Sequence, residues 1–264
     1  MSGPATDELA SVLLKRYECL NALVNQPQAK PELVDTLNMP RSTLDDVVRE
    51  LEQADPVEYG DGDWYLTQSG RLACCAHRDY LNRLNSLRDV SSMLDSVGTG
   101  EEVSWAFIDG ADTYENHSNV QNAVMTKLLD FAEVATEIRV VTPNIVAGYA
   151  DKFYQSGISG QDTTFEMIIP PEIHSWFQST HPSVAKNILD DPDMNILQAS
   201  IQFSFGLSIF DHNHAGITIF TEHGIAGLLV NDTDDALAWA EEQYKRVKQD
   251  AEPLFLRGAS TTTN

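Results

Sequence analysis

Apolar residues recur at helical spacing over residues 9–24, where Leu9, Leu13, Leu20, Leu23 and Val24 share one face. Gln26-Pro27-Gln28 ends that helix. A short second helix is predicted from Pro31, which suits a first turn, with Leu33, Val34 and Leu37 apolar. Asn38, able to take the left-handed conformation, closes it, and Met39-Pro40 forms a turn. A third helix is predicted from Arg41 to about Ala54, because Leu44, Val47, Val48 and Leu51 fall at i, i+3, i+4 and i+7. The period then changes. Val57-Glu58-Tyr59 and Trp64-Tyr65-Leu66 read as two short strands, joined by the turn Gly60-Asp61-Gly62-Asp63. Three helices followed by such a hairpin predict a winged helix-turn-helix.

Thr67 is placed to cap the next helix, and Gly70 to allow close packing. A helical pattern runs from Arg71 to Val97, long enough to span about 40 Å. Ala73, His77, Tyr80, Leu84, Leu87, Ser91 and Leu94 alternate in steps of four and three, the spacing of a helix-pairing seam that His77 and Ser91 weaken. Gly98-Thr99-Gly100 marks a boundary. Beyond it strands and helices alternate. Strands are predicted at Val103–Ile108, Glu137–Thr142 and Thr164–Ile169, and helices at Val120–Ala135, Ile145–Ser156, Pro171–Thr180 and near Ser183–Leu189. Four further strands follow at Met194–Gln198, Phe203–Phe210, Gly216–Phe220 and Ile225–Val230. A last helix is expected from Asp232-Thr233 to about Leu254, with Leu237, Ala240, Tyr244, Val247 and Ala251 on its apolar face, and then a frayed tail from Gly258. The expected fold is mixed α/β and α+β. A winged helix-turn-helix occupies 1–75, a linker or dimerisation helix 76–97, and an α/β effector-sensing or dimerisation domain 98–264.

Composition narrows the setting. Of 264 residues, 42% are hydrophobic, enough for real cores. No apolar run reaches the length of a membrane span, and the first residues lack the order of a signal peptide, so a cytoplasmic protein is expected. Three cysteines, Cys19 and the adjacent Cys74 and Cys75, fit neither a disulfide framework nor a metal site. The formal charge is −23. That excess is spread along the chain: residues 1–75 alone hold six basic and thirteen acidic side chains. Acidity ordinarily opposes nucleic-acid binding, but a uniform excess resembles adaptation to a very salty cytoplasm, where the screening length falls to about 3 Å.

Candidate chemistry centres on the start of the third helix. In a helix-turn-helix the first residues of the second helix of the motif must reach base edges and phosphates. Arg41, Ser42 and Thr43 supply donors there, and Arg49 a further cation. Asp45 and Asp46 face phosphates poorly, unless one accepts from a cytosine amino group. The tip Gly60–Asp63 lacks the cation that wings often present to DNA; Trp64 and Tyr65 are left to touch DNA or to pack on the third helix. Asp211-His212-Asn213-His214 has metal-ligand residue types, but Asp and Asn between two strands are ordinary turn residues. His117, His174, His181 and His223 show no ligand spacing. No phosphate loop, His-Glu-x-x-His or Gly-x-Ser-x-Gly is present, so neither catalysis, cofactor nor metal is expected.

The run from Met39 to Glu52 and Tyr65-Leu66-Thr67-Gln68-Ser69-Gly70-Arg71-Leu72 resemble haloarchaeal winged-helix regulators. Phe205–Asp211, Ala226-Gly227-Leu228-Leu229, Asp234–Glu241 and Ala251–Leu254 resemble the sensor domain named after the methanogenesis regulatory protein. The resemblance implies a DNA-binding regulator, with a second domain similar in layout to a phospholipase-D-like sensor. The enzyme motif His-x-Lys-x4-Asp is missing, which implies a binding derivative. Where the family has Gly after the third helix, Asp55-Pro56 stands here. Asp tolerates the left-handed turn less well, which puts the entry to the wing in question.

The reading is a sequence-specific, effector-responsive transcriptional regulator that binds double-stranded DNA, with a protein-interaction module that has lost DNA affinity as the alternative. Its DNA-contacting residues are Arg41, Ser42, Thr43, Asp46, Arg49 and Trp64. A homodimer is expected through Tyr80, Leu84, Leu87 and Leu94. Strand ends of the second domain predict a small-molecule pocket from Thr142 and Asn144, from His174 after Pro170-Pro171, and from Phe203 and Phe205.

Overall fold

In the computed structural model of the chain, residues 4–97, 103–115, 123–145, 163–180, 182, 185–186, 191–222 and 224–254 are described. The chain divides into two compact units, Met1–Asn85 and Ser86–Asn264. The expected boundary Gly98-Thr99-Gly100, most of the helices Ile145–Ser156 and Ser183–Leu189, the tail from Gly258, and His117, His181 and His223 lie outside the described residues.

The first unit contains α1 (Pro4–Ala22), β1 (Gln28–Ala29), α2 (Lys30–Leu37), α3 (Arg41–Gln53), β2 (Val57–Gly60), β3 (Asp63–Leu66) and the start of α4 (Gln68–Leu94). Leu20, Leu23, Leu33, Leu44, Val47, Val48, Leu51, Val57 and Leu66 form one buried cluster. Asn38 takes φ 46° and ψ 44° and closes α2 as the sequence predicts. The sheet has the order β1-β3-β2, antiparallel throughout. Asp61 (φ 53°) and Gly62 (φ 97°) both lie in the left-handed region between the paired Gly60 and Asp63. Two such residues make the turn whose twist matches a two-residue hairpin. The strand β1 is not visible in the hydrophobic pattern. It is held by its pairing with Trp64 and Asp63 and by Gln28, whose side-chain amide donates to the Ala22 carbonyl at 2.7 Å and accepts from the Thr36 hydroxyl at 3.2 Å.

Asp55 takes φ 72°, so the left-handed turn after α3 forms with aspartate in place of glycine. Its carbonyl accepts from Thr67 Oγ1 at 2.7 Å, and Thr67 Oγ1 in turn accepts from the Gly70 N–H at 2.9 Å. This links the exit of α3 to the entry of α4.

The second unit holds one eight-stranded sheet, order β11-β7-β6-β5-β8-β9-β10-β4. Its strands are β4 (Asp112–Glu115), β5 (Glu137–Val141), β6 (Thr164–Ile169), β7 (Met194–Gln198), β8 (Gly206–Phe210), β9 (His214–Thr221), β10 (Gly224–Asn231) and β11 (Glu252–Pro253). β5, β6 and β7 run parallel and all other pairs antiparallel. Alternate strand residues feed two cores. Ile168, Leu207, Ile209, Ile217 and Leu229 join Val90 and Met93 of α4, Phe107 of α5 (Trp105–Ile108) and Ala236, Ala240 and Tyr244 of α8 (Asp234–Lys248). Ile138, Val140, Phe165, Ile169 and Leu228 join Val124, Leu128 and Ala132 of α6 (Ala123–Val134), with Ile173 of α7 (Pro171–Thr180) packed against them. Helices thus cover both faces, and the α/β class is as read from the sequence.

Three expectations are corrected here. Val103–Ile108 is not a strand: Ser104 Oγ accepts from the Ala106 N–H at 3.1 Å and starts α5, while the strand is β4 just beyond. The last helix stops at Lys248, and Glu252–Pro253 returns to pair with β7, a sheet edge where proline is tolerated. The strand expected from Phe203 begins only at Gly206.

A Cβ added at Gly70 would lie 1.9 Å from the Pro56 carbonyl oxygen. Gly70→Ala is therefore expected to lower the stability of the first unit by about 1–3 kcal/mol, read by denaturant unfolding in concentrated KCl. An unchanged midpoint would show that the helix does not approach the wing entry this closely.

Candidate nucleic-acid interface

The buried face of α3 decides what its other face presents. Leu44, Val47, Val48 and Leu51 are all buried, so Arg41, Ser42, Thr43, Asp46 and Arg49 are left exposed. Pro40 precedes the helix in an extended conformation, and its side chain caps no N–H. The first N–H groups of α3 and three donor side chains therefore point away from the core, the arrangement that base and phosphate recognition needs. Among the described residues the Arg41 side chain makes no hydrogen bond or ion pair. Arg71, at the start of α4, is also exposed.

Three other cations of this unit are engaged. Arg49 Nη1 lies 3.3 Å from Asp46 Oδ1, Lys30 is paired with Asp45, and Arg16 grips Glu50 through Nε at 2.8 Å and Nη2 at 3.2 Å. The Arg16 hydrogen bond holds the Glu50 carboxyl below its ordinary range. Trp64 is half-buried against the first unit's core and tilted against Tyr59, ring centroids 5.1 Å apart, while Tyr59 is exposed. Tyr65 stands opposite Glu58 in the strand pair.

Along α4, Tyr80, Leu84 and Leu87 are exposed, at 51%, 43% and 36%. Leu94 is not part of that exposed set: it packs against the second unit's core because α4 ends there. His77 is buried against Tyr17, centroids 4.6 Å apart, which accounts for a polar residue within the seam.

The five residues expected to line a pocket follow β5 and β6 or precede β8, strands that are neighbours in the sheet. Thr142 is buried, and its hydroxyl donates to the Asn144 carbonyl at 2.6 Å, so it is spent within the turn. Phe203 and Phe205 stack at 4.4 Å, with Phe205 in the core covered by α8. His174 lies on α7, whose Ile173 belongs to the opposite core. Its Nε2 is buried without a hydrogen bond, and burial lowers its pKa.

Sequence reasoning missed a polar cluster on the second unit. Asp211 and His212 occupy the β8–β9 turn at φ 49° and 58°. Asp211 Oδ1 accepts from the backbone N–H groups of Thr136 at 2.9 Å and Glu137 at 2.8 Å, and from Thr136 Oγ1 at 2.9 Å. Burial opposes its ionisation, but these donors outweigh it and hold the carboxyl low. Arg139, buried on β5, donates Nη1 to Glu241 Oε2 at 3.0 Å, and its Nη2 meets Glu241 Oε1 and His212 Nδ1. His212 Nε2 lies 3.1 Å from Glu137 Oε2. Only Arg139 Nε makes no hydrogen bond, although Glu137 Oε1 is 3.1 Å away. The cluster ties α8 to β5 and the β8–β9 turn. Among the described residues no three His, Cys, Asp or Glu side chains are arranged to hold a metal ion.

Residues 121–250, just under half of the chain, match the family model for the middle domain of the methanogenesis regulatory protein FilR1. No curated protein matches the sequence. Among solved structures, the chain is similar to TrmBL2, an archaeal chromatin protein described as showing a novel mode of DNA binding. That match has 12% identity, a TM-score of 0.40, and covers 94% of this chain and 99% of that one. It is also similar to Nuc, a phospholipase D family member from Salmonella typhimurium, at 9% identity and a TM-score of 0.41, covering 55% of this chain and 98% of that one. No described helix is long and apolar enough to cross a membrane.

The Arg139 hydrogen bond is the main reason that the Glu241 carboxyl titrates below its ordinary value of 4.5. A depressed folded pKa means stability that is present above about pH 4.5 and is lost as pH falls through the folded value. Glu241→Gln removes that linkage and half of the pair. It is expected to cost the second unit about 2 kcal/mol at neutral pH and to flatten its decline below the ordinary carboxylate range. Unfolding followed from pH 7 to pH 3 checks both; parallel curves for variant and parent would contradict the assignment.

Proposed function

We propose that the protein is a sequence-specific, DNA-binding transcriptional regulator, cytoplasmic and without catalytic activity, whose first unit reads double-stranded DNA through the start of α3. The observation that carries this reading is the exposed Arg41-Ser42-Thr43 turn on a helix whose opposite face is wholly buried. The match of residues 121–250 to a domain of a regulatory protein supports it. The likeness to haloarchaeal regulators read from the sequence, together with a charge of −23, supports an archaeal host with a salty cytoplasm. The exposed Tyr80, Leu84 and Leu87 of α4 support a homodimer, in keeping with the paired half-sites of most operators. Effector binding is assigned to the second unit near His174, whose Nε2 is buried without a hydrogen bond, rather than to the Phe203–Phe205 stack.

The acidic wing tip and the paired cations favour one other reading, a winged helix that works through protein contacts alone. Selection of bound sequences from a random duplex pool in concentrated KCl separates the two. Enrichment of a defined sequence is expected, with Arg41→Ala weakening binding to it by about 1–3 kcal/mol and Thr43→Ala also reducing it. No enrichment by the parent protein, or unchanged binding in both variants, would overturn the recognition-helix reading.

A further inference from the structure

Five cations lie between Lys15 and Arg49, and three of them are held by carboxylates of α3 itself. The Arg16–Glu50 pair joins α1 to α3 through two contacts and is part of the packing. The other two differ. Lys30 opens α2 and Arg49 lies one turn beyond Asp46, so both belong to the helices of the DNA-reading motif. All four side chains are accessible, 33% and 44% for Lys30 and Asp45, 63% and 67% for Arg49 and Asp46. Binding that ignores sequence is driven by cations meeting phosphates and releasing counterions. A cation with a carboxylate 3.3 Å away is a poor phosphate ligand, because the carboxylate stays beside it and repels the phosphate. Arg41, one turn before this acidic pair, has no such neighbour among the described residues.

Resting on the DNA-binding reading, we propose that Asp45 and Asp46 are specificity-determining residues that act by exclusion. They withhold Lys30 and Arg49 from the phosphate backbone, so that the motif grips a duplex only where Arg41, Ser42 and Thr43 find partners on the base edges. This assigns Asp46 a role opposite to a direct reader of cytosine. It also gives the unit discrimination without the basic surface that such motifs ordinarily carry.

The test compares the full-length parent with Asp45→Asn/Asp46→Asn on two probes: a random-sequence 20-bp duplex, and the sequence enriched by the parent. The variant is expected to bind the random duplex more tightly and to discriminate less between the probes. Two freed cations should also steepen its salt dependence. Over a fourfold rise from 0.5 to 2 M KCl, its affinity for the random duplex should fall about tenfold further than the parent's. Lys30→Gln in the Asp45→Asn background should cancel that residue's share of the gain, which separates release of a cation from general loss of negative charge. Melting curves check that each variant is folded. Should the parent enrich a sequence while the variant keeps the parent's random-duplex affinity and salt slope, the exclusion role is overturned and the DNA-binding reading stands. Should the parent enrich nothing, the DNA-binding reading itself fails.

Discussion

The burial of one stripe on α3 is the constraint on which the candidate interface depends. Leu44, Val47, Val48 and Leu51 are sequestered with Leu20, Leu23, Leu33 and Leu66, and each large apolar side chain contributes about 1.5–3 kcal/mol when removed from water. With those four inside, Ser42, Asp46 and Arg49 fall on the outer face, and Arg41 and Thr43 flank the stripe, exposed in the first turn. The neighbouring devices serve the same end. Asn38 in its left-handed conformation stops α2, Pro40 sets the extended entry to α3, and the Asp55–Thr67–Gly70 hydrogen bonds fix where the wing and α4 leave it.

How much of this was legible depended on the range of the interaction. The α3 stripe, the left-handed Asn38 and the Asp61-Gly62 turn are local features, and the pattern of residues predicts each. β1 has two residues and no periodicity; it exists because β3 is there to pair with it. The apolar run at Val103–Ile108 is too short to separate strand from helix by periodicity, and the decisive signal was Ser104, a cap residue. The Arg139–Glu241 pair joins residues 102 apart in sequence, beyond any local pattern. Alternation placed Phe203 and Phe205 on a strand, whereas they precede β8 and stack on each other, a contact that no period in the sequence encodes.

Charge bears on both units in different ways. In the second, Arg139 is enclosed by Glu137, Glu241 and His212, and Glu166 by Tyr244, Lys248 and Asn195, so the ionised groups there work to hold α8 on the sheet. In the first, the pairs are accessible and weak, as surface pairs generally are, and their consequence is for what the surface will bind. A chain of charge −23 leaves few cations to spend, and Arg41, which no carboxylate holds among the described residues, stands in the exposed first turn of α3.

Contact between that turn and DNA is the central claim, and cross-linking reads it most directly. A photoreactive benzoylphenylalanine placed at Ser42 of the full chain is compared with one at Ser175, an exposed position on α7, after irradiation with duplex DNA in concentrated KCl. The account predicts DNA adducts from position 42 and none from position 175. Adducts from position 175 alone, or equal yields from both, would contradict it.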